Sequence, residues 1–334
     1  MVCGAMQTEA ALRFSILIAT RNRPVLVRRA VESVMRQDFA NWEIVLVNDG
    51  SDEVHLPFLA ALAAELGPRG QYRDLLRRAR GHGQSYAQNE GAAMARGEYL
   101  CFLDDDDEWI DDRHLSRLAR MIDGQSVPPD LLLANQEACR DGVPVGRAVW
   151  LEDLPARAMP PLRADATGAF PVTPAQLLCA TGFGHLNAMT IRRGHFERIG
   201  GFDEGLRYEC DRDFYLRAID QADAILYVQD VIARHHIPDP AAKGSMSTIV
   251  GDLEKRVFQL RVLDKAGLFC RQEAVRAHAR LHKAYTLKRV ATEASAMGAH
   301  RTAANYALQA AGAGFTVRWA GYTLWLVLRA LMRG

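Results

Sequence analysis

Tyr99-Leu100-Cys101-Phe102-Leu103-Asp104-Asp105-Asp106-Asp107 is the stretch that decides the fold. Five apolar residues in a row, too short for a core helix, read as a strand buried on both faces, the pattern of a parallel sheet. Four carboxylates follow at once, at the C-terminal end of that strand, where open parallel sheets bind their ligands. Adjacent carboxylates repel one another, so a fold that keeps them must set positive charge against them. A hard divalent cation is the obvious partner, because it takes oxygen ligands and bridges carboxylates to phosphates. The alternative is a solvated acidic loop capping a helix that begins near Arg113, since Asp favours helix N-termini.

Working outward, short apolar runs alternate with helical stretches. Phe14 to Ala19 reads as a strand, with Pro24 at the start of a helix that carries Val27, Val31 and Val34. Trp42 to Val47 is a second strand, closed by the turn Asn48-Asp49-Gly50-Ser51. A helix over about Phe58 to Leu66, a short strand near Arg73 to Arg77 and a helix over Gln84 to Ala95 precede the acidic strand. This alternation predicts an α/β fold with a doubly wound, mostly parallel sheet flanked by helices. Beyond the acids the pattern loosens. Leu131 to Leu133 suggests a strand and Val143 to Leu154 a β excursion; helices follow over Arg192 to Ile199 and Arg212 to Ala222, with a strand over Ile225 to Val228.

From Thr248 the chain becomes Ala-rich and helical. The reading is a disordered or loosely attached N-terminus at 1–13, an α/β domain at 14–245 with halves at about 14–110 and 111–245, and a helical extension at 246–334. The stretch Pro238 to Ser247, with Lys243, Gly244 and Ser245, resembles a loop that closes over a ligand. Trp319 to Met332 is apolar but too short to span a bilayer. With Arg318, Arg329 and Arg333 it reads either as an interfacial helix making peripheral membrane contact or as an ordinary packing helix.

The 334 residues carry a formal net charge of only +1, which argues against a nucleic-acid partner. Six cysteines without Cys-x-x-Cys spacing fit free thiols rather than a disulfide framework or zinc site. The N-terminus lacks the layout of a secretion signal, so a cytoplasmic location is expected.

Three polar groups then meet at the C-terminal ends of adjacent strands: Thr20-Arg21-Asn22, Asn48-Asp49-Gly50-Ser51 and Asp104 to Asp107. No Gly-x-Gly-x-x-Gly follows the first strand and no P-loop occurs, which excludes the usual dinucleotide and triphosphate cradles. The segments FSILIATRNRPVLVRRAVESVMRQDFANWEIVLVNDGSDE, GQSYAQNEGAAMARGEYLCFLDDDDEW and GGFDEGLRYECDRDFYLRA, in this order, resemble the family 2 glycosyltransferases of GT-A fold over Phe14 to His236.

That resemblance implies an inverting, metal-dependent glycosyltransferase. Its partners would be a nucleotide-sugar donor, a UDP-sugar above others, and a saccharide, lipid-linked or protein acceptor. Thr20 and Asp49 would line the base, and Arg21, Asn22, Gly50 and Asn89 would complete the donor site. Asp104 or Asp105 would bind the ribose. Asp106, with His236 of Arg234-His235-His236, would hold Mn²⁺ or Mg²⁺. Asp211 would be the general base. Two positions depart from the family pattern: Cys210 where Glu is usual before the base, and Gln88 where Arg is common. The rival reading is a non-catalytic nucleotide-sugar-binding scaffold. Trp109 either anchors the acidic loop or stacks a sugar, His185 either faces the acceptor or is packed, and Arg77, Arg78 and Arg80 either meet phosphate or solvate a strand end.

Overall fold

The computed structural model describes residues 12–140, 142–238 and 246–333. The expected closing loop around Lys243 to Ser245, the domain boundary at 245 and the N-terminal residues before 12 lie outside the described residues. The first half alternates as the sequence predicts: β1 (Phe14–Thr20), α1 (Pro24–Met35), β2 (Trp42–Asn48), α2 (Leu56–Glu65), β3 (Gly70–Asp74), α3 (Gln84–Met94) and β4 (Tyr99–Phe102). The strands run in the order β3-β2-β1-β4, all parallel. Side chains alternate across β1. Phe14, Ile16 and Ile18 pack with Val27, Val31 and Leu59, while Leu17 packs with Val45, Val47 and Ala87 on the opposite face. Burying both faces explains the unbroken apolar runs.

The second half is more mixed: β5 (Glu108–Trp109), α4 (His114–Asp123), β6 (Leu131–Arg140), β7 (Val143–Pro144), α5 (Leu154–Arg157), β8 (Phe170–Pro171), α6 (Pro174–Leu177), β9 (Met189–Arg192), α7 (Arg193–Arg198), α8 (Cys210–Gln221) and β10 (Ile225–His236). The sheet continues β4-β9-β6-β10-β5, with β9 antiparallel to both neighbours and β10 parallel to β6. Three expectations need correction. The strand expected at Arg73 to Arg77 pairs as β3 three residues earlier, because Gly70 to Asp74 is the stretch in register with Ile44 to Asn48. The β excursion over Val143 to Leu154 is only the two-residue β7, followed by turns. The strand begun at Ile225 runs on to His236 through irregular register against β6, which carries both histidines to the site.

The helical region holds α9 (Met246–Ile249), α10 (Asp252–Phe269), α11 (Glu273–Ala296), α12 (His300–Ala313) and α13 (Val317–Arg333). Val262, Ala266, Val275 and Ala279 join the same core as Phe214 and Leu216 of α8. Ala291, Ala303, Ala307, Leu326 and Ala330 form a separate cluster further along.

Candidate active site

The acidic run follows β4 as a tight turn, the Asp107 backbone N–H donating to the Asp104 carbonyl at 3.1 Å. Asp105 and Asp107 are turned inward, with 7% and 0% of their side chains exposed, whereas Asp106 keeps 26% and Asp104 18%. Asp105 reaches back to the end of β1: Thr20 Oγ1 donates to it at 2.7 Å and Arg23 Nη1 at 2.8 Å. Burial lifts its pKa to about 6, with the Arg23 charge opposing. Asp107 ties the run to β10. It accepts from Asn187 Nδ2 at 2.6 Å and from the His236 backbone N–H at 2.8 Å, and lies 2.7 Å from His235 Nδ1. Burial alone would raise Asp107, but the His235 hydrogen bond and charge bring it below the carboxylate range and lift His235 to about 9.

Asp104 and Asp106 are compensated less, and both stay raised. Asp106 shares Arg23 Nη1 at 3.0 Å, and its carbonyl accepts from Arg29. Burial first, then the Asp107 charge, raises its pKa. Asp104 accepts from Gln84 Nε2 at 2.7 Å and is pushed well up by burial and by Asp107 and Asp106. The four carboxylates outnumber the cations that Arg23, Arg29 and His235 set against the run. The surplus negative charge and hard oxygen donors fit a divalent cation. Among the described residues no group of three or more His, Cys, Asp or Glu forms a complete metal cage. Magnesium characteristically uses one or two carboxylates and takes its remaining ligands from phosphates and water.

At the end of β2, Asp49 accepts from the backbone N–H groups of His82 at 2.7 Å and Gly83 at 3.0 Å. Gly81 and Gly50 both have positive φ. A Cβ on Gly81 would stand 2.5 Å from Asp49 Oδ2, and one on Gly50 2.8 Å from Arg77 Cα, so glycine alone lets this loop close over the strand ends. Arg21 clips the same loop through the carbonyls of Arg78 at 3.0 Å and Ala79 at 3.2 Å. Asn22 is engaged by Ser51 and Asp52, and Arg77 pairs with Asp52 at 2.7 Å. Asn89 lies elsewhere: its amide holds Phe202 and Glu204, fixing the turn before α8.

Asp211 is in the first turn of α8, where Arg212 N–H donates to its Oδ1 at 2.8 Å. Burial raises its pKa. Cys210 Sγ faces Gln84 Oε1 at 3.6 Å, so Gln84 links α8 to Asp104. Glu209 caps α8 with φ +61°, and its carboxylate meets Gln259 of α10 at 2.8 Å.

Several residues entered the site unannounced. Arg23 neutralises two acids; its proximity to β1 was visible, its reach to β4 was not. Trp150, from the irregular middle, sets its ring 5.3 Å from His235 and 5.6 Å from His185. His185 is packed there, its pKa lowered to about 3 by burial, with Nε2 4.0 Å from Asp104. His236 turns Nε2 to Glu108 Oε1 at 3.4 Å, while His235 faces the acidic run. Trp109 is buried and donates to the Asn187 carbonyl at 2.9 Å, so it anchors the loop.

A half-parallel sheet with acids gathered at its strand ends defines an α/β protein of the GT-A type. Residues 15–142 match the family model of glycosyl transferase family 2. The chain is 36% identical over 133 residues to WcaA of Escherichia coli (strain K12), a protein named for colanic acid biosynthesis; the match spans 39% of this chain and 44% of WcaA. It is 28% identical over 228 residues to a PGL/p-HBAD biosynthesis glycosyltransferase of Mycobacterium bovis, 68% of this chain and 78% of that one. Among solved structures it is similar to S. aureus TarS 1–349 in complex with UDP-GlcNAc, with TM-score 0.65, 19% identity and coverage of 90% and 81% of the two chains. The mannosyltransferase PcManGT from Pyrobaculum calidifontis, in complex with GDP-Man and Mn²⁺, gives TM-score 0.59 and 16% identity over 97% and 88%.

Proposed function

We propose that this protein transfers a sugar from a nucleoside diphosphate sugar, a UDP-sugar first among them, to a hydroxyl of a saccharide, lipid-linked or protein acceptor, with inversion at the anomeric carbon. One observation carries the reading. Gln84 joins Asp104, just after β4, to Cys210, next to Asp211 at the start of α8, which supports the acids and Asp211 acting on one substrate.

Asp211 takes the proton from the acceptor hydroxyl as that oxygen attacks the anomeric carbon and the bond to the diphosphate breaks. Its raised pKa makes it a stronger proton acceptor than an ordinary Asp. Asp106, with Asp104, would supply carboxylates for Mn²⁺ or Mg²⁺, and His235 would be a better partner than His236, because Asp107 holds His235 Nδ1 beside the acidic run while His236 turns to Glu108. A bound divalent cation there would offset the charge of the departing diphosphate. Thr20 and Asp49 would line the base and Asp104 or Asp105 would bind the ribose; Arg21 and Asn22 hold the loops around them. UDP is favoured because Asp49 would accept from a uracil N–H, and because TarS is seen with UDP-GlcNAc. The domain division at 245 and a cytoplasmic location complete the reading; Cys101, Cys139, Cys179, Cys210 and Cys270 are free thiols.

Calorimetric titration with UDP, GDP, CDP and dTDP, in Mn²⁺ and then in EDTA, tests it. Binding of one nucleotide that EDTA abolishes is the expected result. Binding without turnover of any matching sugar would favour the scaffold, and no binding at all would remove the crevice from consideration.

A further inference from the structure

Residues 294–334 contain no Asp or Glu, yet they include Arg301, Arg318, Arg329 and Arg333. Within this stretch α13 has a defined packing face. Leu326, Ala330 and Thr323 are buried, and the Ala307 carbonyl of α12 accepts from Trp319 Nε1 at 3.1 Å and Thr323 Oγ1 at 3.4 Å. Helical spacing puts Val317, Leu324, Leu328 and Leu331 on the opposite side, flanked by Trp325 and Met332. These are open to solvent: Val317 is 82% exposed, Leu324 60%, Leu328 50% and Leu331 77%. Surface helices of soluble bundles put polar residues there. Here the outer stripe is as apolar as the packing face.

Arg318 and Arg329 run along one edge of this stripe, and the Arg329 guanidinium stands 5.0 Å from the Trp325 ring. The edge is basic and no acid interrupts it. At 17 residues the helix is about 25 Å long, short of the roughly 30 Å hydrocarbon core of a bilayer. Among the described residues no helix is long and apolar enough to cross a membrane.

We propose that α13 docks on an anionic lipid bilayer, lying in its surface with the Val317–Leu331 stripe at the acyl boundary and the arginines among the headgroups. Charge complementarity selects this occupant. A second copy of the chain would bring the same arginine edge and no acid from this segment to meet it. A bilayer offers apolar depth and negative charge together, the combination that binds interfacial helices. The inference stands independently of the sugar-transfer reading, and its test needs no nucleotide.

The test is co-sedimentation of the full chain with vesicles of phosphatidylcholine alone and of phosphatidylcholine mixed with phosphatidylglycerol. Binding at least about tenfold tighter to the anionic vesicles, weakening as salt rises, is expected. The double variant Leu324→Glu/Leu328→Glu, at two exposed positions, should lose vesicle binding while its circular dichroism and melting stay unchanged. Arg318→Gln/Arg329→Gln should lose the anionic preference, about fivefold for each arginine removed. Indifference of the wild type to both vesicles, or unchanged binding by the glutamate variant, overturns the proposal. So does a dimer in the ultracentrifuge that Leu328→Glu dissociates, since a second copy would then own the face.

Discussion

Arg23 Nη1 lies 2.8 Å from Asp105 Oδ1, joining the loop after β1 to the end of β4 across a sequence distance of 82 residues. The same nitrogen reaches Asp106 at 3.0 Å, so one guanidinium restrains two acids that burial has already driven toward protonation. Arg23→Gln should cost about 2 kcal/mol in urea unfolding. Breaking a fully buried pair costs about 3–5 kcal/mol, discounted here because Arg23 is partly exposed. Mn²⁺ should raise the melting temperature of this variant more than that of the wild type, since the freed carboxylates have greater need of a cation. Wild-type stability in the variant would show that the pair is incidental.

Adjacent acids in the run should behave oppositely. Asp106→Ala should keep the wild-type melting temperature and lose Mn²⁺-dependent UDP binding. Asp107→Ala should lose about 3–5 kcal/mol, because it strands His235 and the Asn187 amide in a buried site. Thermal melts and nucleotide titration of the two proteins, side by side, check both halves.

Asp211→Asn preserves shape and removes the carboxylate proposed as proton acceptor. Turnover of a UDP-sugar should fall by about two to four orders of magnitude, with UDP affinity within about twofold of wild type. Turnover within about tenfold of wild type would assign the base elsewhere.

Gly50→Ala places a Cβ 2.8 Å from Arg77 Cα at a φ of +66°. The loop carrying His82 and Gly83 must shift, and with it the donors on Asp49. A loss of about 1–3 kcal/mol is expected, together with weaker UDP binding. Undiminished nucleotide affinity would separate the loop from the donor site.

Glu43 is buried in β2, where burial alone would raise its pKa. Hydrogen bonds from Ser15, the Arg96 backbone and side chain and Gln71 prevail, and hold it below the ordinary 4.5. Because the folded value is depressed, this carboxylate contributes stability above the unfolded pKa and loses it as pH falls through the folded one. Wild-type melting temperature should therefore drop as pH is lowered below about 4.5. Glu43→Gln should cost about 1–3 kcal/mol at pH 7 and show a shallower acid slope. Parallel acid slopes for the two proteins would assign the transition to other carboxylates.

Much of this protein was legible in its residues. The runs Phe14 to Ala19, Trp42 to Val47 and Tyr99 to Leu103 declared buried parallel strands, because a strand covered on both faces must be apolar throughout. The acids and small polar residues directly after them gather at one end of the sheet, because strand ends in such sheets share one edge. Those are local patterns with a period, and local patterns survive in a single sequence. Tertiary structure decided the rest. Which acids of Asp104 to Asp107 face outward, the reach of Arg23, the choice of His235 over His236 in facing the acids and the commitment of Asn22 and Asn89 to holding loops all depend on partners far away in sequence. The reversed β9 and the long, irregular β10 likewise follow from pairing register. Register is set by packing and hydrogen bonding between whole elements, and no stretch of residues encodes it alone.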